Sequence, residues 1–546
     1  MIRREFIKSA LGAVTAAGAS PLHAAATSAA GAPRSMTVVF SVRAYGAVGD
    51  GVTVDTPAIQ RAIEAAAKAG GGTVYFPAGT YVSYSIRLRS RVTLYLDSGA
   101  VILSGEVPLE GTLHGGYDAA EPNGSWEKYQ DFGHNHWHNS LIWGEGLEDV
   151  AICGPGLIWG KCLSRSEKGR SPRDQGLPLA TLPGVANKAI ALKNCRNVIL
   201  RDFAILQGGH IGILATAADN LTIDNLRIDT NRDGMDIDSC RNVRISNCSV
   251  NSPWDDGICL ESSYALGYPR ATENVTIAGC YVTGGYELGT MLSGEWKKLQ
   301  PGGTNGIPTG RIKCGTMSVG GFKNIAISNC VFDRCRGLAL ECVDGGTLED
   351  LTFTGITMRD ITNTPLFLRL GSRLKAPPGT QVGTLKRIVL SDIVSYNCVS
   401  KYAAIVSGIP GHEIEDIKIS NLYLHHMGGG TRAMAELKPP EKEAAYPEPR
   451  MFGPLPANGF FVRHVKNIEF TCVEIAAEHP DARPAMWLED VQEADFFRLK
   501  VPIGNGAAAF VLKNCRDFSI LGSRGIPDLS LGQVKERRVG EGGGAE

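Results

Sequence analysis

The sequence lacks long apolar runs, an excess of either charge and low-complexity linkers. Beyond its first residues, no stretch approaches the ~18 apolar residues of a membrane-spanning helix, so we expect no membrane span. The net charge is −1, so the chain lacks the basic face that nucleic-acid binding normally requires. No Gly/Ser tract accounts for the 66 glycines, which therefore indicate closely spaced turns. With 43% hydrophobic residues, the chain has enough apolar side chains for a large core.

Residues 1–26 have the form of an export signal. Arg3–Lys8 reads RREFIK, followed by a weakly apolar run and small residues at Ala24–Ala26. This pattern is typical of a bacterial twin-arginine signal, with an ordinary Sec signal as the alternative. We therefore expect a periplasmic or secreted protein and exclude this segment from the fold.

Fourteen cysteines in an exported chain raise the question of disulfides. A twin-arginine substrate, however, folds in the reducing cytoplasm, and several cysteines recur in one local context after asparagine. A residue that recurs at one place in a repeat is better explained as a small buried core residue, so we predict mostly free thiols. The recurring pairs are Asn194-Cys195, Asn247-Cys248, Asn329-Cys330, Asn397-Cys398 and Asn514-Cys515.

One helix is predicted near the start of the folded region. Thr56 suits an N-cap, Pro57 suits the first helical position, and Gly70–Gly72 suits the end. Ile59, Ala62, Ile63 and Ala66 form its apolar stripe. Because short strands follow it, this helix is predicted to cap the open end of a β-solenoid.

A repeat runs through the chain from residue 148 onward. Each copy has a polar pair, then an apolar-x-apolar unit, and often Asn-Cys. The step is 23 residues from Val198 to Leu221 and 22 from Leu221 to Val243, while the step of 50 from Val275 to Ile325 holds an insertion or a second coil. Such steps with period-2 strands predict a parallel β-helix, and the Leu-x-x-Leu-x-Leu spacing of leucine-rich repeats is absent. The turn asparagines are expected to hydrogen-bond to one another along ladders.

The predicted fold is therefore all-β, a single parallel β-helix domain over residues 37–535 with an N-terminal capping helix. Two segments, residues 371–383 and 428–456, read as insertions that form walls of a cleft. Residues 536–546 are Gly-rich and are predicted to be a disordered tail. We expect a monomer.

The segment Tyr117–Asn139 is irregular and aromatic, and it carries His134, His136 and His138. In an extended chain these alternate histidines share one face, which makes a metal site conceivable. No Cys or carboxylate has the spacing to complete such a site. We therefore expect a sugar-contacting loop or plain packing, and neither a metal nor another cofactor.

Two acidic clusters lie within Asn231–Ser262. The first holds Asp233, Asp236 and Asp238, and the second holds Asp255 and Asp256. Neighbouring residues of a strand point to opposite faces, so the chain must bend at the second cluster, and the flanking Pro253 and Gly257 permit this. Asp233 precedes Asp255 by 22 residues, which is one coil. Three carboxylates are therefore predicted to converge outside the helix.

Two basic residues are predicted near these acids. Arg311 and Lys313 are spaced i, i+2, which puts them on one face of a strand one or two coils further along. There they could hold an anionic or hydroxyl-rich ligand.

These motifs resemble those of glycoside hydrolase family 28, the polygalacturonases. That family carries Asn-Thr-Asp-Gly-x-Asp, Asp-Asp, Gly-His-Gly and Arg-Ile-Lys. Here the order is Asn231–Asp236 (NRDGMD), Asp255-Asp256 and Arg311–Lys313 (RIK), and the segment AYGAVGDGVTVDTPAIQRAI resembles the family's opening. The resemblance covers roughly residues 40–530 and implies a right-handed parallel β-helix that hydrolyses α-linked uronic-acid polymers with inversion, without a cofactor.

The resemblance also implies residue roles. Asp255 would be the general acid, Asp233 and Asp256 would activate water, and Asn231 of the same motif would bind substrate. Arg311 and Lys313 would bind the sugar. An inverting pair should stand ~6.5–9.5 Å apart to admit water.

Two departures from the family pattern concern the substrate. The family histidine is absent from residues 284–289 (GGYELG), where Tyr286 or Glu287 takes its place. Glu261 stands where the family often carries a lysine that holds the acidic sugar. These losses favour another pectic linkage, such as rhamnogalacturonan or a neutral terminal sugar, over plain polygalacturonate.

Two further residues are candidates for ligand binding. His210 lies one coil before Asp233, where it either lines the cleft or is a hydrogen-bonded turn histidine. Arg369, within the apolar strand FLRL, either binds a ligand or is a solvated outward side chain.

Three functions from different classes remain open at this point. The first is an exported pectic glycoside hydrolase acting on polysaccharide or oligosaccharide. The second is a polysaccharide lyase or sugar epimerase on the same fold, although no separate Asp-rich calcium loop stands out. The third is a non-catalytic carbohydrate-binding β-helix.

Overall fold

The repeat units of the sequence are successive coils of a right-handed parallel β-helix. The computed structural model describes residues 39–166, 176–300, 308–399, 401–503 and 507–540. The export signal predicted over residues 1–26 lies outside the described residues. Among the helices within these ranges, none is long and apolar enough to cross a membrane.

The predicted repeat positions lie directly beside one another in the stacked coils. Val198 pairs with Leu221, and Leu221 pairs with Val243, in parallel register. Val275 pairs directly with Ile325, so the step of 50 residues is one coil that contains an insertion. The backbone hydrogen bonds of each coil are thus made mainly to the coils before and after it.

Three columns of parallel strands form the sides of the helix. The first column, called the cleft sheet, comprises Ile86–Arg87, Ile142–Glu145, Lys188–Lys193, Ile211–Thr216, Asp233–Asp238, Ile258–Ser262, Ile312–Ser318, Leu338–Cys342, Leu366–Leu370, Ala404–Ser407 and the starts of Phe460–His479, Met486–Phe497 and Phe510–Leu521. The second comprises Val39–Ser41, Gly72–Phe76, Val92–Leu96, Glu148–Cys153, Arg196–Arg201, Asp219–Asp224, Arg241–Ser246, Thr272–Ala278 and Phe322–Ser328. The third comprises Asp50–Val54, Gly79–Ser83, Ala100–Ser104, Leu157–Trp159, Ala204–Leu206, Arg227–Asp229, Ser249–Asn251, Tyr281–Thr283 and Val331–Asp333. Further along, the second and third columns merge into the long strands Thr347–Arg359, Thr384–Cys398 and Ile414–Gly428.

Asparagines at the corners form the predicted ladders. Asn220 Nδ2 donates to Asn197 Oδ1 at 3.0 Å, and Asn324 Nδ2 donates to Asn274 Oδ1 at 2.8 Å. All four residues have φ between 52° and 58°, a left-handed conformation that asparagine tolerates better than most residues. The recurring asparagine therefore both turns the chain and links neighbouring coils.

One continuous hydrophobic core fills the helix from Val42 to Val539. All fourteen cysteines are free, eleven of them buried and three half-buried, as the repeat context predicted. Met235 and Ile237 point into this core, so the alternate residues Asp236 and Asp238 lie on the outer face of the cleft sheet. The core thus fixes which acidic side chains face the cleft.

The capping helix spans Thr56–Lys68 and packs its predicted apolar stripe inward. It begins at Thr56 rather than after it, because the Thr56 hydroxyl accepts a hydrogen bond from Tyr84 N at 2.8 Å instead of capping the helix. Asp55 precedes the helix, and its carboxylate accepts from two backbone amides of the preceding loop. The remaining short helices are Thr290–Ser293 and Arg432–Ala435, with 3₁₀ turns at Val42–Tyr45, Glu127–Tyr129 and Pro449–Phe452.

The last strand, Leu529–Val539, runs antiparallel to Phe510–Leu521. It includes residues 536–539, which the sequence assigned to the disordered tail, because pairing covers the otherwise open edge of the final coil. Residues 541–546 lie outside the described part of the chain. The insertions at residues 371–383 and 428–456 do interrupt the coils, between Leu366–Leu370 and Thr384–Cys398 and between Ile414–Gly428 and Phe460–His479.

Candidate active site

Two neighbouring coils bring the three predicted carboxylates together on the cleft sheet. Asp233 begins the strand Asp233–Asp238, while Asp255 and Asp256 lie in the bend before Ile258–Ser262. Gly234 N donates to Asp256 O at 2.9 Å, which fixes the bend beside the previous coil. One oxygen from each of the three carboxylates lies within 4.8 Å of the others. The predicted convergence is therefore present, and its spacing is shorter than that expected for an inverting pair.

Asp256 is held by two buried cations. Arg311 Nε donates to its Oδ1 at 2.8 Å, and Lys313 Nζ donates to its Oδ2 at 3.1 Å. Burial by itself raises the pKa of Asp256, but the charges of Arg311 and Lys313 outweigh burial and hold that pKa well below its usual range. Asp256 is therefore ionised throughout the physiological pH range.

Arg311 lies behind Asp256 and does not face the cleft. Its side chain is 2% exposed, and its Nη2 also contacts Glu448 at 2.9 Å and Glu341 at 3.8 Å. Lys313 lies 3.7 Å from Glu341 and, unlike Arg311, lines the pocket. Burial raises the pKa of Glu341 to about 7. The sugar-binding role implied for Arg311 therefore becomes one of orienting Asp256.

Asp233 and Asp255 differ in their surroundings. Burial, followed by the charge of Asp255, raises the pKa of Asp233 well above its ordinary value. Arg232 Nη2 donates to Asp255 Oδ2 at 2.6 Å and lies 4.0 Å from Asp233. The side chain of Asp255 is 29% exposed, against 9% for Asp233. Asp255 is thus the carboxyl most open to a ligand, whereas Asp233 is an acid whose protonated form is favoured by burial.

These carboxylates line a pocket of about 230 Å³. Its sides come from coils that are distant in sequence and from two loops, the aromatic segment 117–139 and the insertion 428–456. The lining residues are Asp131, Phe132, His134, His210, Arg232, Asp233, Asp255, Asp256, Cys259, Glu261, Lys313, Thr316 and Tyr446.

Ion pairs join the aromatic segment to the insertion at residues 371–383. Asp131 contacts Arg373 at 3.1 Å and Lys375 at 2.5 Å. Arg373 is also paired with buried Asp344 at 2.5 Å. From the other insertion, the Tyr446 hydroxyl lies 3.0 Å from the hydroxyl of Thr316 on the cleft sheet. The two predicted insertions therefore do form walls beside the carboxylates.

Glu261 lines the same pocket on the coil that follows Asp233. It is 5% exposed, and its Oε1 is 3.5 Å from the Cys259 thiol. Its Oε2 is buried and has no hydrogen-bond partner among the described residues. Burial raises the pKa of Glu261 well above its ordinary value.

His210 lines the pocket as a hydrogen-bonded histidine. Its ring nitrogens lie 3.0 Å from Arg165 O and 3.1 Å from Phe132 O, and burial lowers its pKa well below the ordinary value. The two interpretations of His210 from sequence are thus both correct. Asn231 is buried beneath, with its amide against the Arg165 guanidinium.

Three other sequence-based candidates lie outside the pocket. The Tyr286 hydroxyl donates to Asp333 at 2.8 Å, and Glu287 is exposed on the following loop. Neither side chain is among those that line the pocket. Arg369 is 1% exposed and donates to Ser407 and to backbone carbonyls of Gly408 and the insertion at residues 428–456, so it anchors that insertion instead of reaching a ligand or solvent.

Of the three histidines of the aromatic segment, His136 and His138 both lie near Glu121, at 3.9 and 3.5 Å, whereas His134 does not join them. His134 lines the pocket, with Nδ1 3.5 Å from buried Asp236. His138 instead groups with Glu121 and Glu145, whose ligand atoms lie within 4.8 Å of one another. Sequence spacing did not find these carboxylates, because the loop folds back on itself. Lys193, 3.2 Å from Glu145, already supplies positive charge to that group.

Sequence reasoning missed two residues of the pocket lining, Arg232 and Tyr446, and two acids that contact Arg311, Glu341 and Glu448. Arg232 was visible inside the acidic motif, where the family carries threonine. Glu341 was visible as a charged residue in the apolar strand Leu338–Cys342. Tyr446 and Glu448 had no comparable signal, because only the folded insertion brings them to the cleft sheet.

Comparisons with known proteins agree with this architecture. A family model described as rhamnogalacturonase A/epimerase, pectate lyase-like, matches residues 39–105, and a right-handed beta helix region matches residues 184–295. A probable polygalacturonase of Vitis vinifera is 26% identical over 273 residues, which are 46% of this chain and 51% of that protein. The resemblance to polygalacturonases is confirmed.

Two further matches are a solved structure and a curated sequence. A family 28 exopolygalacturonase from Yersinia enterocolitica superposes with a TM-score of 0.59 at 18% identity, covering 85% of this chain and 78% of that one. Plasmin and fibronectin-binding protein A of Streptococcus pneumoniae is 31% identical over 325 residues, 54% of this chain and 36% of that protein. The chain thus spans about half the length of the Vitis vinifera protein and about a third of the length of the Streptococcus pneumoniae protein.

Proposed function

We propose that this protein is an exported glycoside hydrolase that cleaves α-glycosidic bonds of pectic polysaccharide with inversion. The observation that carries the proposal is the convergence of Asp233, Asp255 and Asp256 in one pocket, with Asp256 kept ionised by Arg311 and Lys313. The similarity to polygalacturonases supports the pectic substrate class.

In the proposed reaction, Asp256 is the base that draws a proton from the attacking water. Both of its oxygens are hydrogen-bonded to cations, which makes Asp256 a poor nucleophile for a covalent sugar–enzyme intermediate. Water is then the better nucleophile, and attack by water on the face opposite the leaving group inverts the anomeric carbon. Because the carboxylate spacing is short, the configuration of the initial product is the measurement that distinguishes inversion from retention.

The leaving oxygen receives its proton from the Asp233–Asp255 pair. Burial raises the pKa of Asp233 well above its ordinary value, so Asp233 holds a proton before substrate binds, and an oxygen of Asp255 lies within 4.8 Å of it to receive that proton. We assign the delivery of the proton to Asp255, because it is the more exposed of the two and carries that role in the family motif. Asp233 then helps to orient the water beside Asp256, whose amide nitrogen lies 3.3 Å from Asp233 Oδ1.

The walls of the pocket support action at chain ends. The ion pairs of Asp131 with Arg373 and Lys375, together with Tyr446 from the other insertion, enclose the carboxylates. An enclosed pocket accepts one terminal sugar, whereas an open groove accepts the middle of a polymer. We therefore propose exo action.

The test is incubation of the purified protein with polygalacturonan and rhamnogalacturonan oligosaccharides. We expect reducing sugar and one released monosaccharide to rise together, with the initial anomer inverted by ¹H NMR and no unsaturated product in the ultraviolet spectrum. An unsaturated product would indicate a lyase, an altered sugar without cleavage would indicate an epimerase, and binding without turnover would indicate a carbohydrate-binding protein. Asp255→Asn is the control for contaminating activity.

A further inference from the structure

Acidic residues outnumber basic residues in the lining of the pocket. Five acids line it: Asp131, Asp233, Asp255, Asp256 and Glu261. Two permanently charged cations line it as well, Arg232 and Lys313. Its two histidines, His134 and His210, are held neutral near pH 7, because burial lowers the pKa of each. A sugar in this pocket therefore meets an acidic surface.

Both cations of the lining are already bound to the catalytic acids. Arg232 donates to Asp255 at 2.6 Å, and Lys313 donates to Asp256 at 3.1 Å. The cations of the nearby wall are also paired, because Arg373 and Lys375 contact Asp131. The carboxylate of a uronic acid would therefore have to share each of these cations with an acid of the protein.

Glu261 adds a polar contact that suits a hydroxyl group. Its Oε2 is buried at the pocket without a partner among the described residues, and a buried acceptor without a donor is costly. A sugar hydroxyl can donate to this oxygen whether or not Glu261 is protonated. A sugar carboxylate would instead put a second acid against Glu261, which costs free energy unless a proton lies between them.

We propose that the pocket selects an uncharged sugar at the bond that is cleaved, and that Glu261 is the residue that determines this specificity. The inference rests on the proposed glycosidase function and narrows it to neutral terminal sugars of pectic chains. Glu261 acts both by accepting a hydrogen bond from a hydroxyl and by rejecting a carboxylate, so it combines attraction for the right substrate with repulsion of the wrong one.

The experiment compares aryl α-glycosides that differ in charge. The p-nitrophenyl α-galactoside and α-galacturonide differ only at C6, and the α-rhamnoside adds a second neutral sugar. We expect kcat/KM for at least one neutral glycoside to exceed that for the galacturonide by tenfold or more. A galacturonide that is the best substrate would overturn the specificity and leave the glycosidase function standing. If neither these glycosides nor the pectic oligosaccharides are hydrolysed, both proposals fail.

Variants at Glu261 test the residue itself. Glu261→Lys should raise kcat/KM for the galacturonide at least tenfold, mainly through KM, and lower it for the neutral sugar. Glu261→Gln keeps an acceptor oxygen and should retain the neutral preference. Glu415→Gln, an equivalent change at an exposed site outside the pocket, should leave unchanged the ratio of kcat/KM for the neutral glycoside to kcat/KM for the galacturonide. An unchanged ratio in a folded Glu261→Lys protein would refute the role of Glu261. If Glu261→Lys does not fold, a preference for the galacturonide in the wild type or in Glu261→Gln would refute it instead.

Discussion

Two adjacent carboxylates, Asp255 and Asp256, should respond to the same substitution with equal loss of activity and very different loss of stability. Asp256 is buried between Arg311 and Lys313, and its change to asparagine leaves two buried cations without their main partner. Breaking such a buried pair costs about 3–5 kcal/mol. Asp255 makes one ion pair, with Arg232, and the two side chains are 29% and 34% exposed. Loss of an exposed pair costs about 0–1 kcal/mol.

Both substitutions should reduce hydrolysis by about 10²–10⁴-fold, the usual contribution of a general acid or base. Activity is measured as kcat/KM on the best pectic oligosaccharide. Stability is measured by thermal unfolding and by urea unfolding of the same preparations. Asp255→Asn should keep a wild-type midpoint, whereas Asp256→Asn should unfold at a clearly lower temperature and urea concentration.

A leaving-group comparison then separates the two roles. An aryl glycoside with a good leaving group needs little protonation, so Asp255→Asn should lose less activity on it than on the natural linkage, while Asp256→Asn should lose the same on both. Equal stability of the two variants would refute the account of Asp256 as a buried, cation-bound base. Full activity in Asp255→Asn would refute the proposed mechanism altogether.

Three further predictions concern pH, metals and thiols. Burial lowers the pKa of Lys188 to about 7 from an ordinary 10.5. Between these pH values the unfolded chain binds more protons than the folded protein, so the free energy of unfolding should rise with pH. Unfolding midpoints measured from pH 7 to 10 should show this rise in the wild type and not in Lys188→Met. EDTA should leave hydrolysis unchanged, because Arg232, Arg311 and Lys313 already compensate the three carboxylates, and a loss restored by one divalent cation would contradict this. Because all fourteen thiols are free, dithiothreitol should not shift the unfolding temperature, and a fall would reveal a disulfide.

The fold could be predicted from the sequence because a solenoid repeats one local pattern. The apolar-x-apolar units around Val198, Leu221 and Val243 pair as their spacing requires. The long step from Val275 to Ile325 could not be assigned from spacing alone, since an insertion and an additional coil have the same length. Only the direct pairing of these two residues distinguishes the two possibilities.

The site could be predicted where its geometry follows from coil spacing and not where it depends on loops. Asp233 and Asp256 come together because they lie on consecutive coils. Tyr446 reaches the pocket, and Glu448 reaches Arg311 behind it, from an insertion whose path no periodicity describes. The prediction that Tyr286 lines the pocket was wrong, because the Tyr286 hydroxyl donates a hydrogen bond to Asp333 outside the pocket.

The antiparallel last strand, Leu529–Val539, has a consequence for assembly. A stack of parallel coils can in principle grow by adding further coils, including those of another molecule. The reversed strand presents the wrong direction for such growth and carries charged side chains along its length, in the sequence VKERRV. Removal of this strand would leave Phe510–Leu521 as an open template at one end only, because the helix Thr56–Lys68 caps the other end, so the truncated protein should associate through this edge rather than simply lose stability.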